Sequence, residues 1–283
     1  MRAIVLTEPG GPGNLEVREL PDPVAGPGEL LIDVEAAGIA PVDRGAVETG
    51  YGDKMPGTPP WILGWDLAGT VHAVGAGVEP ELAGRRVLGF SQWLKGGPGT
   101  QASRVVLPRD NIAVVGDAIP SAELTTFGLN GLTALQVLNA ADLDAGATIL
   151  LVGASGAVGG FVAQLAEHRG ITVVPAGRDT PPSDVAGMEL DALINVAPPD
   201  PTRYLVAVRD GGVAMSVTVP AEAERGIRSQ RVGVNVDREG LETVARLADD
   251  GVLTTRVAST FPAERAADAY RADASDGRIV LTF

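Results

Sequence analysis

The sequence predicts an α/β protein with a β-rich N-terminal part and a doubly wound parallel sheet that lacks its third strand. Short strand candidates, separated by Gly and Pro, fill the first part of the 283-residue chain. Apolar strands then alternate with amphipathic helices, which is typical of a parallel sheet covered on both faces. Between two of these strands the chain is too short for a helix, a third strand and a further connection.

We expect the β-rich part in residues 1–118. Its strand candidates are short and closely spaced, with Gly and Pro between them. They are "MRAIVLT", "LEVREL", "GELLIDVEAAGI", "AGTVHAVG", "RRVLGF" and "SRVVLP". This spacing favours a compact, barrel-like domain with long surface loops.

We expect the parallel sheet in residues 119–255. The region begins with a long Ala- and Leu-rich helix, "AELTTFGLNGLTALQVLNAAD", and the first apolar strand, "TILLVG", follows it. A later helix, "EGLETVARLADDGVL", is amphipathic because its apolar residues recur at helical spacing. That apolar stripe consists of Leu241, Val244, Ala245 and Ala248. The tail "GRIVLTF" is a final strand.

A glycine-rich turn connects the first parallel strand to the next helix. Gly153, Gly156 and Gly159 lie three residues apart, directly after the apolar strand. Glycines at this spacing allow a tight turn, the close approach of a pyrophosphate, and close packing of helix on strand. The helix N-terminus adds unpaired N–H groups that bind phosphate. The absence of a following Lys-Ser/Thr pair argues against a nucleoside-triphosphate loop.

The turn therefore predicts a dinucleotide site, and the alternative is a tight strand-to-helix turn with no ligand. The candidate binding residues are Gly153, Ala154, Ser155, Gly156, Ala157, Val158 and Gly159.

The end of the second parallel strand indicates which dinucleotide binds. An acid at this position commonly binds the ribose hydroxyls of NAD, but this strand ends in Ala176, Gly177 and Arg178. A guanidinium suits the 2′-phosphate of NADP(H), so we favour NADP(H). Asp179 beside it argues the other way, and an exposed loop charge is the alternative role for Arg178.

Two further strands end in residues that we expect at the ligand crevice. Loops at the carboxyl edge of a parallel sheet face the ligand. Asn195, Val196 and Ala197 end one strand, and Ser216 and Thr218 end the next. We predict that they line the cofactor site.

The segment between Val174 and Ala192 has room for one crossing of the sheet and little else. We infer that the third strand and its helix are absent, so that "ITVVP" forms the sheet edge, where Pro175 discourages further pairing. This removes a wall that often shelters the adenine. Weaker cofactor binding, binding with an exposed adenine, and no binding all stay open.

Composition argues against several classes of partner. The net charge is −14 and no basic cluster occurs, whereas binding a phosphate backbone needs concentrated Lys and Arg. No apolar run approaches the roughly 20 residues of a membrane span, and the N-terminus lacks the layout of a signal peptide. We therefore expect a cytoplasmic protein without nucleic-acid or membrane partners.

The sequence also predicts no metal site. It contains no Cys, and its two histidines, His72 and His168, are too few and too scattered to hold a metal ion.

Five segments carry a family resemblance. They are "GIAPVDRGAVETGYG", "LGWDLAGTVHAVGAGV", "GLTALQVL", "GASGAVGGFVAQLA" and "DGRIVLTF". Together they resemble the medium-chain dehydrogenase/reductase superfamily, and within it the zinc-free quinone oxidoreductase (ζ-crystallin-like) branch. The resemblance implies a GroES-like substrate domain in residues 1–118, completed by 256–283, and a Rossmann-type NADP-binding domain in 119–255.

The resemblance also implies chemistry without zinc. Zinc-dependent relatives carry Gly-His-Glu where this chain has Gly64, Trp65 and Asp66, and they use a Cys ligand that this chain lacks.

The resemblance assigns three catalytic candidates. Tyr51 matches a pocket tyrosine that would hydrogen-bond a substrate carbonyl, with a packed aromatic as the alternative. Thr133 matches a residue that approaches the nicotinamide, with a hydroxyl bonded to the preceding helical turn as the alternative. Asp43 matches an acid near the pocket, with a structural cap as the alternative. Ala40 stands where the family usually has Asn, so any polar contact of that Asn is missing.

The implied function is zinc-independent, NADPH-dependent reduction of a quinone, an enone or another conjugated carbonyl. A non-redox cyclase or isomerase, and a cofactor-binding protein without turnover, are the alternatives. Relatives commonly form homodimers through the strand that matches "GGVAMSVTV", and we expect the same here. Trp93, in a Gly-rich loop, is expected to line the pocket, with core packing as its alternative.

Overall fold

The computed structural model describes residues 1–177, 179–198, 200–275 and 277–283. Contacts within the described chain divide it into two units. The first comprises Met1–Leu129, Asn235–Asp249 and Thr255–Phe283, and the second comprises Asn130–Val234 and Asp250–Thr254. The domain boundaries predicted from the sequence stay a prediction beside this division.

Strands and helices are mixed along the chain, so the predicted α/β class is confirmed. The strands are β1 (Arg2–Leu6), β2 (Leu15–Glu19), β3 (Glu29–Ile39), β4 (Trp61–Ile62), β5 (Asp66–Val74), β6 (Arg86–Phe90), β7 (Arg104–Pro108), β8 (Ile112–Val114), β9 (Thr148–Val152), β10 (Thr172–Ala176), β11 (Leu190–Asn195), β12 (Val208–Ser216), β13 (Arg228–Arg231), β14 (Val257–Pro262) and β15 (Arg278–Thr282). The helices are α1 (Pro41–Glu48), α2 (Ser121–Thr126), α3 (Leu132–Ala141), α4 (Ala157–His168), α5 (Arg238–Asp249) and α6 (Ala266–Arg271). None of the helices in the described ranges has the length and apolar character that crossing a bilayer requires.

The first unit is built mainly from antiparallel strands. Its larger sheet has the order β14-β15-β3-β5-β6-β8, with β7 also paired to β3, and its smaller sheet has the order β2-β1-β4. Side chains such as Ile32, Leu67 and Leu107 are fully buried between these strands, and each contributes about 1.5–3 kcal/mol of burial free energy. The closing strand β15 pairs antiparallel with β3, which brings the last strand of the sequence into one sheet with a strand of its N-terminal part.

The second unit contains a parallel sheet with the strand order β10-β9-β11-β12-β13. Four consecutive residues of the inner strand β9, Ile149 to Val152, are fully buried, as expected for a strand covered on both faces. The pairing register aligns the carboxyl ends of the strands, because Val152 lies opposite Ala176 and Asn195, and Asn195 lies opposite Ser216. The residues that follow these strands therefore meet at one edge.

Two strands end the parallel sheet, β10 on one side and β13 on the other. β12 pairs with both β11 and β13, so the expectation that "GGVAMSVTV" forms an edge for dimerisation is wrong. β13 consists of the polar residues Arg228–Arg231, and for that reason no apolar strand pattern revealed it.

Candidate functional site

The glycine turn follows β9 as the sequence predicts. Gly153 has φ +93°, a backbone conformation that favours glycine, and its N–H bonds to the carbonyl of Ala176 at the end of β10, at 2.9 Å. A Cβ atom at Gly153 would lie 2.8 Å from the Cβ of Ala197. The turn therefore packs directly against the ends of two neighbouring strands.

The third glycine of the turn explains how helix and strand come so close. A methyl group at Gly159 would overlap the carbonyl oxygen of Gly153 and lie 2.8 Å from the Cα of Ala154. The neighbouring Gly160 has no described heavy atom within 4 Å of the place where its Cβ would be. Only the first of these two positions therefore requires glycine on steric grounds.

The start of α4 is open to an anionic ligand. Its N-cap is Gly156, which has no side chain to accept a hydrogen bond from the first amides, and Ser155, Gly156 and Ala157 are exposed. The helical bond from the N–H of Gly160 to the carbonyl of Gly156, at 2.8 Å, begins the hydrogen-bond ladder. The preceding first-turn amides have no intrahelical acceptor and lie at the positive end of the helix dipole.

A polar cluster lies at the same edge of the sheet, on the strand ends that the sequence predicts. The amide nitrogen of Asn195 donates to the hydroxyls of Ser216, at 3.1 Å, and Thr218, at 3.2 Å. The two hydroxyls lie 3.1 Å apart. The Asn195 side chain is fully buried, and its Oδ1 atom has no hydrogen-bond partner among the described residues.

An unpartnered buried acceptor costs about 1–3 kcal/mol, so the orphaned Oδ1 of Asn195 marks a place for a donor. Val196 donates its N–H to the carbonyl of Val152 at 3.0 Å, and its side chain lies beside Gly153. The structure thus brings the glycine turn and the residues that end β11 and β12 together at one edge.

The residues that follow β10 contact the hydroxyl group of a buried tyrosine, Tyr204. The Tyr204 hydroxyl lies 3.2 Å from the carbonyl oxygen of Gly177 and 3.1 Å from that of Thr180. The Thr180 hydroxyl accepts the N–H of Gly177 at 2.9 Å. Arg178, predicted to bind a 2′-phosphate, lies outside the described residues.

Asp43 is fully buried in the first unit, on the first turn of α1. Its Oδ2 accepts the N–H of Ala40 at 2.8 Å, and its Oδ1 accepts the N–H of Gly64 at 3.1 Å and the indole N–H of Trp93 at 2.8 Å. Burial raises the pKa of the Asp43 carboxyl to about 7, against the lowering effect of the Ala40 N–H. The carboxyl therefore caps α1 and joins it to two loops.

The other two catalytic candidates lie in different units. The Tyr51 hydroxyl donates to the carbonyl of Val42 at 3.0 Å, passing over Gly45, where a Cβ would overlap it. Burial, followed by the nearby charge of Asp43, raises the pKa of the Tyr51 phenol. Thr133 is buried on α3 in the second unit.

Two features of the first unit escaped sequence reasoning. Trp93, expected to line a pocket, is only 1% exposed and hydrogen-bonds Asp43, so its alternative, core packing, holds. Asp66 forms a buried ion pair with Arg278, at 3.0 Å, and its pKa is raised by burial despite that charge. The sequence signals that could have predicted this ion pair were an acid, Asp66, in an otherwise apolar strand and an arginine, Arg278, in the last strand. In the ranges that the structure describes, no group of three or more His, Cys, Asp or Glu is arranged to hold a metal ion.

Comparison with known proteins adds a family match. The family model of the alcohol dehydrogenase GroES-like domain matches residues 26–117, which agrees with the GroES-like domain expected there. The trans-enoyl reductase tazE of Aspergillus terreus is 31% identical over 229 residues, covering 75% of this chain and 74% of that protein. The quinone oxidoreductase of Sus scrofa is 34% identical over 176 residues, covering 62% and 52%.

Solved structures share the fold. The quinone oxidoreductase from Coxiella burnetii superimposes with a TM-score of 0.85 at 22% identity, covering 100% of this chain and 99% of that one. The chain covers less than two thirds of the length of most of these curated relatives, with shares from 33% to 65%, as with the pig protein at 52%.

Proposed function

Because the chain belongs to the medium-chain dehydrogenase/reductase superfamily, in its zinc-free quinone oxidoreductase branch, we propose that it is an NADPH-dependent reductase of a quinone, an enone or another conjugated carbonyl. The names of its relatives, a trans-enoyl reductase and a quinone oxidoreductase, support both acceptor classes.

The observation that carries this proposal is the glycine turn beside a buried acceptor without a partner. The absence of a side chain at Gly159 lets α4 start directly against the turn, so that its first amides are available to bind an anionic group. Asn195 Oδ1 lies at the same edge and has no hydrogen-bond donor among the residues that the structure describes. These residues fit a nicotinamide dinucleotide, which carries both a diphosphate and hydrogen-bond donors.

The bound cofactor would supply the hydride, and the chain would position it and the substrate. The amides of residues 157–159 would hold the diphosphate. Asn195, kept in place by Ser216 and Thr218, would accept a hydrogen bond from the cofactor. Tyr51 would offer its phenol to a substrate carbonyl, and Thr133 would approach the nicotinamide, as in the family.

We also propose that the reaction needs no zinc. Trp65, which carries no metal-binding atom, stands where zinc-dependent relatives have a histidine. The next residue, Asp66, directs its carboxylate to Arg278. Asp43 directs both carboxylate oxygens to N–H donors.

A fluorescence titration with NADPH, followed by addition of 9,10-phenanthrenequinone, tests the function. We expect enhanced nicotinamide fluorescence on binding and quinone-dependent oxidation, unchanged after dialysis against a chelator. Binding without oxidation of quinone or enone acceptors would favour a binding protein without turnover. No binding would contradict the proposal and favour a non-redox cyclase or isomerase, an alternative consistent with the edge position of β10.

Arg178→Ala should weaken NADPH binding much more than NADH binding, and equal losses would contradict its role at the 2′-phosphate. We also propose a homodimer, which light scattering of the purified protein would test.

A further inference from the structure

Asn130 is a buried residue with an unused hydrogen-bond donor. Its side chain is 4% exposed, and its Nδ2 atom has no hydrogen-bond partner among the described residues. A buried donor without an acceptor costs about 1–3 kcal/mol, so such a group in a native protein calls for an explanation. Asn130 lies in the π-helical segment Phe127–Gly131, which directly precedes α3. Segments of this kind are rare and occur frequently at functional sites.

The direction of α3 places Asn130 at the edge of the parallel sheet where the strands end. At the other end of α3, the carbonyl oxygens of Ala140 and Ala141 accept hydrogen bonds from Arg228, each at 3.0 Å. Arg228 is the first residue of β13, so α3 ends at the amino edge of the sheet. α3 has 10 residues and packs against β11 and β12. Because it is about 15 Å long, close to the length of a typical strand, it starts at the carboxyl edge.

The neighbouring helix α4 indicates the same direction. Its C-cap, Arg169, donates to Oδ1 of Asn139 near the end of α3, at 2.7 Å. The two helices pack side by side and have similar lengths, 10 and 12 residues. Since they end together, they also begin together. Asn130 therefore lies at the same edge as the glycine turn and the first amides of α4.

The place of α3 across the sheet indicates which half of a dinucleotide lies near Asn130. In dinucleotide-binding folds the end of the second strand, here β10, binds the adenosine ribose, and the turn before the first helix binds the diphosphate. The other half of the ligand then extends from the turn away from β10, toward β11 and β12. α3 packs against these two strands. Asn130 is therefore on the nicotinamide side of the turn.

The nicotinamide ring carries a group that matches the unused donor. Its carboxamide has one carbonyl oxygen, which accepts a hydrogen bond, and one NH₂ group, which donates. At this edge Nδ2 of Asn130 is a donor without an acceptor, and Oδ1 of Asn195 is an acceptor without a donor, among the described residues. A carboxamide offers the complement of each.

We propose that Asn130 binds the carboxamide oxygen of the nicotinamide ring through its Nδ2 atom and so holds the ring in position for hydride transfer. This inference rests on the proposed function, since it names a binding residue for the cofactor of that site. A hydrogen bond to the carboxamide restricts rotation of the ring about its bond to the ribose. The chain thereby contributes orientation to a reaction whose hydride comes from the cofactor.

Calorimetric titrations with three probes test the proposal. The probes are NADPH, its thionicotinamide analogue, and 2′-phosphoadenosine diphosphate ribose, which lacks the nicotinamide. Asn130→Leu keeps the size of the side chain but removes the donor. It should weaken NADPH binding by about tenfold and change binding of the ribose fragment by less than about twofold. Asn139→Leu is the matched control, because it makes the same exchange at an exposed position of α3 and should leave all three affinities unchanged.

The thionicotinamide analogue tests the same contact in the wild-type protein, without any substitution. Its sulfur is a weaker acceptor than oxygen, so the wild-type protein should bind it less tightly than NADPH. Asn130→Leu should bind the two with similar affinity, because it cannot donate to either. Equal affinities in the wild-type protein would overturn the proposal, also in the case that Asn130→Leu does not fold.

The outcomes separate this role from the proposed function. If the wild-type protein binds NADPH and Asn130→Leu binds it equally well, Asn130 does not contact the carboxamide and the proposed function stands. If the folded variant weakens NADPH and the ribose fragment equally, the role of Asn130 is structural and the inference is overturned. If the wild-type protein binds neither NADPH nor the fragment, the proposed function fails together with the inference.

Discussion

Arg278 and Asp66 form an ion pair in the interior of the first unit, with Nη2 and Oδ2 separated by 3.0 Å and the side chains 5% and 0% exposed. The pair joins the closing strand β15 to β5, across β3. Gly38 of β3 leaves room for it, since a Cβ there would lie 2.5 Å from Asp66 Oδ1 and 2.9 Å from Arg278 Nη2. The ion pair therefore fastens the closing strand to the sheet.

Removing one partner of this pair should destabilise the protein strongly. Arg278→Ala leaves the Asp66 carboxylate buried without its counter-charge, and we expect a loss of about 3–5 kcal/mol in the free energy of unfolding. Arg209→Ala, which breaks an exposed pair with Asp191, should cost less than about 1 kcal/mol. Urea unfolding of both variants measures the difference. Equal losses of unfolding free energy in the two variants would mean that burial does not determine how much the Asp66–Arg278 pair stabilises the protein.

The Asp43 carboxyl should make stability depend on pH. Its pKa is raised from 3.8 to about 7 in the folded protein, so the folded state binds more protons than the unfolded state between those values. Stability therefore falls as pH rises from about 4 to about 7, by roughly 4 kcal/mol for this group, and levels off above that range. Asp66, whose pKa is also raised, acts in the same direction.

The variant Asp43→Asn isolates this contribution. The other carboxyl groups are common to both proteins, so the difference in unfolding free energy between wild type and variant should change over this pH range. The variant also places an amide N–H against the Ala40 or Gly64 donors, which costs about 1–3 kcal/mol at neutral pH. Denaturant titrations from pH 4 to 8 measure both effects, and a constant difference would show that Asp43 ionises at its ordinary pKa.

Tyr51→Phe separates two roles of one hydroxyl. Loss of the bond to the Val42 carbonyl should lower the free energy of unfolding by about 0.5–1.5 kcal/mol. If Tyr51 also bonds the substrate, kcat/KM for quinone reduction should fall by about tenfold or more. Tyr270→Phe is the matched control, because the Tyr270 hydroxyl bonds the buried Gln101 at 2.9 Å. If Tyr51→Phe keeps the wild-type kcat/KM, the Tyr51 hydroxyl does not bond the substrate and Tyr51 serves only as a packed aromatic residue.

Local sequence patterns predicted those parts of the site that depend on strand ends and backbone space. Asn195, Ser216 and Thr218 could be placed together because they end neighbouring parallel strands, and Gly153 and Gly159 because the turn leaves no room for side chains.

Contacts between distant segments carried no such signal. Trp93 bonds Asp43 from 50 residues away, and Arg278 pairs with Asp66 across 212 residues. No periodicity relates such positions, so tertiary packing alone brings them together. The polar strand β13 was missed for a related reason, since its residues alternate in neither hydropathy nor burial.

Two adjacent glycines of α4 provide a test of the turn. A methyl group at Gly159 would overlap the Gly153 carbonyl, whereas one at Gly160 would meet no described atom within 4 Å. Gly159→Ala should therefore push the helix away from β9 and weaken NADPH and NADH binding alike. Gly160→Ala should bind normally and gain up to about 1 kcal/mol in unfolding free energy, because Ala has the higher helix propensity.

The comparison within the pair excludes a general effect of altering α4. Both substitutions add the same methyl group to the same helix, so a difference in nucleotide affinity reports on the contact with the turn. Nicotinamide fluorescence titrations and thermal melts of the two variants measure affinity and stability separately. Equal affinities in Gly159→Ala and Gly160→Ala, with both proteins folded, would mean that the amides at the start of α4 do not hold the cofactor, and the proposed nucleotide site would have to lie elsewhere.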